Sequence, residues 1–365
     1  MKTAITPFIY SLVIGSMLFV GCGDDDINIA DFNGERTTQL VNTFDHGVLP
    51  AHDRLVNAVE QLEQDLETLT TTPDAQNLAA AQEQWRQTTQ IWKACELYAI
   101  GDIGDSFIRF RLQRWPIDIE GIEEQLATSE MIDENFVASR GSSVIGLSTI
   151  EYLLFNPEDD TILQKLSLDT QYSAYLLALG QFLSTQAKTL QADWSAYGST
   201  FTTSDGLGLD GGQNMLANSL VFFLEESIIL RLGKPLGQKD DGVLQPADLE
   251  APYAEESLIQ LEAGLQEWER MYLGDYAGSA TNYGFEDMLV ELGYEQLDQS
   301  IKEATQNCYT ALQSFTNTNA RAALTERMAD LEALQEDLRA LLVLIKVDLG
   351  SNLSIVVTPN DLDGD

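Results

Sequence analysis

Apolar residues return every third or fourth position through most of this chain, and that period dictates helices. Across residues 52–70, Leu55, Val56, Val59, Leu62, Leu66 and Leu69 trace one stripe, while Asp53, Glu60, Gln61, Glu63, Asp65 and Glu67 fill the remaining faces. A helix with such a stripe must bury it against other helices. Pro73 after Thr72 predicts a cap and first helical residue, with the helix running on to about Ile100. The same reading predicts a short helix over Ile122–Leu126, another from Asp133, and a buried one over Ile150–Phe155. A long helix follows over 169–197, capped by Asp169 or Thr170. Later helices are expected over 213–232, 257–273, 285–292, 295–315 and 320–349. Only Ile355-Val356-Val357 reads like a strand, and strands never alternate with helices, so a parallel α/β sheet is excluded.

The fold class is therefore all-α. Long amphipathic helices imply bundles, and a single core seldom grows past roughly 250–300 residues. The 365 residues are accordingly divided into two helical-bundle domains, an N-terminal bundle over 36–165 and a C-terminal bundle over 166–352. An acidic tail, 353–365, ends the chain. The glycines at 198, 206, 208, 211 and 212 mark the clearest loop.

Residues 1–21 have the form of a secretory signal: Lys2 is the only charge before Asp24, and an apolar run from Phe8 to Val20 follows it. That run ends Leu18-Phe19-Val20-Gly21-Cys22, a lipobox-like sequence in which the Cys22 thiol would take the diacylglycerol. The alternative is an ordinary signal peptide cut elsewhere. Residues 22–35, with Asp24-Asp25-Asp26, read as an acidic tether. The expected place is a lipid anchor on the periplasmic face of the membrane or on the cell surface. The two later cysteines, Cys95 and Cys308, sit among apolar neighbours and are expected as separate buried thiols.

Charge narrows the partners. With 58 acidic and 20 basic residues the formal charge is -38, which repels nucleic acid and anionic lipid headgroups. A hard cation would find oxygen ligands here in abundance. Abundance alone marks no site, so the informative carboxylates are those embedded in apolar sequence, where an ionised group needs a partner. Glu151 lies between Ile150 and Tyr152-Leu153-Leu154-Phe155. Glu225 and Glu226 fall between Leu220–Leu224 and Ile228–Leu230. Asp118 and Glu120 follow Trp115-Pro116. Each could equally be held in a salt bridge by Arg109, Arg111, Arg114 or Arg231.

Several chemistries are excluded by spacing. The two histidines, His46 and His52, are neither four apart nor preceded by Glu at the third position, so a helical zinc or di-iron motif is absent. Gly206-Leu207-Gly208 lacks the strand and the Gly-Lys-Ser/Thr of a nucleotide loop. Ser148 lacks the Gly-x-Ser-x-Gly setting of a hydrolase nucleophile.

Gly146-Leu147-Ser148-Thr149-Ile150-Glu151, followed by Tyr152-Leu153-Leu154-Phe155, resembles the Gly-x-His-x-x-Glu signature of the imelysin family. Trp85-Arg86, Trp115-Pro116-Ile117-Asp118, Glu225-Glu226 and Leu232-Gly233-Lys234-Pro235-Leu236-Gly237 are similar to other segments of that family, in its order. The resemblance implies two helical bundles with a site between them, an extracytoplasmic location and a link to iron acquisition. Of the signature, Gly146 and Glu151 carry over, whereas Ser148 stands where the family has histidine. A serine hydroxyl is a weak neutral ligand for a borderline metal.

The leading expectation is an iron-uptake lipoprotein that binds iron, another divalent or trivalent cation, or an iron-bearing ligand. Its expected site is an acidic cleft formed by Glu151 and Ser148 with Asp118, Glu225 and Glu226, and its expected partners are other iron-uptake proteins. A metallopeptidase of the imelysin type and a cell-surface interaction protein without a metal site are the alternatives. Replacing Cys22 by Ser is expected to abolish incorporation of labelled palmitate and to release the chain from the membrane fraction. Unchanged labelling would place the anchor elsewhere.

Overall fold

The computed structural model describes residues 29–156 and 161–359. Cys22, the signal segment, the first half of the tether and the last six residues lie outside them, while the second half of the tether already enters a short 3-10 turn and the first helix. The first helix, α1 (Asn33–Asn42), passes through one π-helical turn, Thr43–Val48, directly into α2 (Leu49–Thr71). Next come α3 (Ala75–Glu96), α4 (Gly101–Asp105), α5 (Ile108–Leu112), α6 (Ile119–Leu126), α7 (Glu134–Ala138), α8 (Leu147–Phe155) and α9 (Ile162–Leu168). The longest helix is α10 (Thr170–Thr202). A loop then leads to α11 (Gly212–Glu226), which runs on into a second π turn, Ser227–Gly233. The remainder comprises α12 (Ser257–Leu273), α13 (Phe285–Glu291), α14 (Glu295–Gln313), α15 (Ala320–Glu326) and α16 (Met328–Val343), with a third π turn over Leu344–Leu349.

The expected stripes are the buried ones. Leu55, Val59, Leu62, Leu66 and Leu69 of α2 are fully covered, and each such side chain contributes roughly 1.5–3 kcal/mol by leaving water. They meet α3 on one side and α10 on the other. In α10, Gly198 permits the close approach: a Cβ there would fall 2.0 Å from the Phe44 ring. Asp169 caps α10 as expected, accepting from the backbone N–H groups of Gln171 at 2.9 Å and Tyr172 at 3.2 Å. The cap of α3 is different. Asp74 rather than Thr72 accepts from the N–H of Asn77, so Pro73 lies ahead of the helix and not within its first turn.

The grouping of helices also differs from the division drawn at residue 165. The helix placed at the head of the second bundle, α10, packs along α2 and touches α5, α7 and α9. Of the later helices, α11 and α14 both pack on α16, and α12 ties them to the first group by lying against α3. One apolar core runs through all of these elements among the described residues. Residues 355–357 form no strand. They are held to α11, where Asn214 Oδ1 accepts from the N–H of Val356 at 2.7 Å. Cys95 and Cys308 are separate buried thiols. Among the described residues no helix is long and apolar enough to cross a membrane.

Candidate functional site

The signature segment builds the first turns of α8. Gly146 precedes the helix at φ +85°, and a Cβ there would lie 2.7 Å from the Leu112 carbonyl oxygen, so only glycine fits. Ser148 and Glu151, three apart, then share one helix face. Both line a cavity of about 60 Å³ walled by Trp115, Pro116, Leu249, Glu250, Pro252 and Tyr253. The Ser148 hydroxyl is buried and has no protein partner among the described residues.

Glu151 is 1 % exposed and pairs with no arginine among the described residues. One of its oxygens accepts two backbone hydrogen bonds, from Tyr253 and Ala254, each 2.8 Å. Burial pushes its carboxyl up to about 8; the two backbone donors pull it back, and nearby Glu250 and Glu256 add to the rise. Glu151 is thus a clamp that fixes the loop after Glu250 onto α8.

Glu250 enters a buried cluster of six charges. Its two oxygens accept from Lys93 Nζ and from Arg231 Nε, the latter at 2.8 Å. Glu96 accepts from Lys93 at 2.9 Å, Arg231 at 3.1 Å and Arg109 at 2.8 Å. Glu226 is held by Arg109 and, at 2.8 Å, by Arg231. Burial alone would raise the Glu96 carboxyl, but Arg109, Lys93 and Arg231 outweigh it and hold it below the usual carboxylate range. Burial would likewise lower the Arg231 guanidinium, and Glu226, Glu250 and Glu96 outweigh that too. Three cations and three anions balance, which is what lets charges persist inside a core. Aromatic rings flank them, Trp115 at 5.3 Å and Phe223 at 5.4 Å from Arg231.

The carboxylates expected to converge on one cleft therefore do not. Glu226 is spent on Arg109 and Arg231, two of the partners named from sequence. Glu225 accepts from Lys346 Nζ at 2.5 Å. Asp118 is exposed and caps α6 by accepting from the N–H of Gly121 at 3.0 Å. His52 is buried between the rings of Tyr98 and Trp194, bonded to the Val48 carbonyl, and burial lowers it to about 4. No group of three His, Cys, Asp or Glu side chains is placed to hold a metal ion among the described residues.

A resident metal at the signature does not fit this donor set. One oxygen of Glu151 is taken by backbone donors and both oxygens of Glu250 by two cations, leaving the second Glu151 oxygen and a neutral hydroxyl, too few donors to hold a resident metal. The residues that sequence reasoning missed are Lys93, Glu96 and Glu250. Lys93, set in Ile91-Trp92-Lys93-Ala94-Cys95, carries the same signal as Glu225 and Glu226, a charge inside an apolar run.

A second, larger concavity of about 600 Å³ opens on the other side of the six charges. Its wall is formed by α4, α5, the end of α10, the 207–210 loop and α11, with Thr358 closing one side. Glu96 and Arg109 lie in its lining, so the charge cluster separates this outer cleft from the inner cavity that Glu250 lines. The volume lies in the range of small-molecule sites. Aromatic and soft side chains line it: Phe107, Phe110, Phe222, Tyr197 and Met215. Phe107 is held at φ +57°, a left-handed conformation that a bulky residue seldom adopts, and is 65 % exposed.

The profile of the imelysin family matches residues 48–345. The "Iron-regulated protein A" of Synechococcus elongatus is 27% identical over 231 residues, a stretch covering 60% of this chain and 59% of that protein. The chain thus spans less than two thirds of the length of that curated relative. A crystal structure of a candidate iron-regulated protein A precursor from Parabacteroides distasonis superposes with a TM-score of 0.75 at 16% identity, covering 88% of this chain and 95% of that one. An imelysin-like protein from Psychrobacter arcticum superposes with a TM-score of 0.75 at 18% identity, covering 92% and 99%. At these identities the two structures share the fold.

Removing one member of the charge cluster strands its partners. Arg231→Met is expected to cost about 3–5 kcal/mol in urea unfolding, and the double change Lys93→Met with Glu250→Gln less than the two single changes combined. A loss below about 1 kcal/mol for Arg231→Met would show that water replaces the guanidinium.

Glu151 makes stability depend on pH in a stated direction. Its folded form keeps a proton that the unfolded chain loses, so stability falls as pH rises from the ordinary glutamate range to about 8 and levels off above. Glu151→Gln, neutral at every pH, is expected to remove up to about 1.4 kcal/mol per pH unit from that slope. An unchanged slope in unfolding free energy between pH 5 and 8 would sink this account.

Proposed function

This chain belongs to the imelysin family, and from that premise we propose that it serves iron uptake by binding an iron-bearing molecule, not a bare ion, in the outer cleft. In this reading it is tethered through Cys22 on the periplasmic face or the cell surface and hands its cargo to other iron-uptake proteins. The observation that carries the reading is the pairing of a cleft of about 600 Å³ with signature and cluster carboxylates already engaged by cations or backbone donors, no group of three His, Cys, Asp or Glu among the described residues being placed to hold a bare ion. A bare ion needs several free oxygen donors at one point. A molecule that brings its own ligands to the metal needs only shape, apolar surface and a few polar contacts. The iron connection rests on the name of the Synechococcus relative and on the family.

Within this reading the signature segment is a brace. Glu151 holds the 252–254 loop, that loop presents Glu250 to Lys93 and Arg231, and the cluster fixes Glu96 and Arg109 in the cleft lining. Peptide hydrolysis by a metal needs an open coordination position and a base beside it. With Ser148 at the family's histidine position, binding is the better-supported activity.

The exposed apolar side chains Phe107, Leu207 and Leu209 near the cleft favour a second reading, a docking surface for a partner protein. The test is iron retention through gel filtration after incubation with ferric chelates or with freshly dissolved ferric citrate. Chelated iron is expected to co-elute with the wild type and not with Met215→Trp, which fills the cleft. Retention of citrate-delivered iron alone, or equal retention by the filled variant, would overturn the proposal.

A further inference from the structure

The outer cleft has a charge pattern that the general reading does not use. Among the described residues, five charged side chains line it: Glu96, Asp102, Asp105, Arg109 and Asp210. Arg109, the lone cation of these, is committed. Its Nε bonds to Glu96 at 2.8 Å and its terminal nitrogen to Glu226. Glu96 is committed by the same bonds and by Lys93 and Arg231. That leaves Asp102, Asp105 and Asp210, which are exposed and form no ion pair with a lysine or arginine among the described residues.

All three line the same cleft as Tyr197. Burial raises the phenol of Tyr197 in the cleft wall, and Asp102 and Asp210 raise it further. The aromatic lining acts in the same direction. Arg109 already lies over Phe222 at 4.8 Å, and Arg109 and Arg114 lie over Phe110 at 5.9 and 5.8 Å, whereas Phe107, 65 % exposed and 6.4 Å from Phe110 between ring centroids, carries no such cation among the described residues. Ring faces carry negative quadrupole and attract cations.

A neutral or anionic guest would partly desolvate three carboxylates and give nothing back. A guest with an apolar body and positive charge would meet both the rings and the aspartates. A small hydrated ion would leave most of the volume unfilled and the rings uncovered.

We propose that the outer cleft selects a positively charged, apolar-bodied guest, stacked on the exposed Phe107 ring with its charge toward Asp102, Asp105 and Asp210. Resting on the iron-uptake reading above, the guest is a cationic ferric chelate of the trihydroxamate type. Catecholate chelates and haem, which carry negative charge, are the wrong sign for this wall.

The test is binding measured by tryptophan fluorescence and calorimetry on the soluble mature chain. The probes are a cationic ferric trihydroxamate, a neutral one with the same iron coordination, an anionic ferric tris-catecholate and iron-free tetraphenylphosphonium. The cationic chelate is expected to bind roughly tenfold or more tighter than the neutral one, and the catecholate not at all. Asp102→Asn with Asp210→Asn, both surface changes, is expected to erase that preference, as is raising salt, while melting stays unchanged. Equal binding of neutral or anionic chelates would overturn the charge assignment and leave the iron-uptake reading standing. Binding of tetraphenylphosphonium without any chelate would do the reverse. Failure of all four probes would overturn both.

Discussion

Six buried charges set the arrangement on which the rest of this molecule depends. Lys93 and Glu96 from α3, Arg109 from α5, Glu226 from α11, Arg231 from the following π turn and Glu250 from a loop meet in one cluster. Apolar packing is tolerant of small slides between helices, because it rewards contact without direction. A charge cluster is not tolerant, since a displaced member leaves a buried charge without its partner. The cluster therefore fixes how α3 and α5 sit against α11, while the surrounding core supplies the bulk of the burial.

The same cluster explains why the two concavities differ. It walls off the inner cavity, where Glu151 and Ser148 lie, from the outer cleft, where Glu96 and Arg109 appear in the lining. Glu151 serves the cluster from behind by anchoring the loop that delivers Glu250. The helix breaks that make this possible are local. Two π turns carry Arg231 and Lys346, and these two cations reach the neighbouring acids Glu226 and Glu225 of α11. An inserted residue in a helix re-aims the side chains around it, and such turns gather at functional positions.

Much of the fold was legible in the sequence because a single physical rule wrote it. The stripe Leu55–Leu69, the cap at Asp169 and the span Ser257–Leu273 are all found where the period and cap chemistry put them. The candidate site was legible only in part. Reading charges inside apolar runs pointed to Glu151, Glu225 and Glu226, which are buried, and the two arginines that hold Glu226 are among the four offered as alternative partners. It overlooked Lys93, which carries the same signal, and it drew together acids that the fold keeps apart. Asp118 illustrates why: three residues ahead of Gly121, it had a local duty as a helix cap that its place after Trp115-Pro116 did not reveal.

By itself the sequence determined the all-helical class, the buried faces and the presence of ionised groups that need partners. Those follow from short-range rules of period, backbone sterics and desolvation, each readable within a few residues. Only the tertiary structure decided which charge meets which, that Glu151 is satisfied by backbone donors, and that the open cleft lies beside Phe107 and Tyr197 and not at the signature. Pairing over separations such as Lys93 to Glu250 depends on how helices cross, and the sequence period constrains the face that a helix buries without fixing the partner it is buried against.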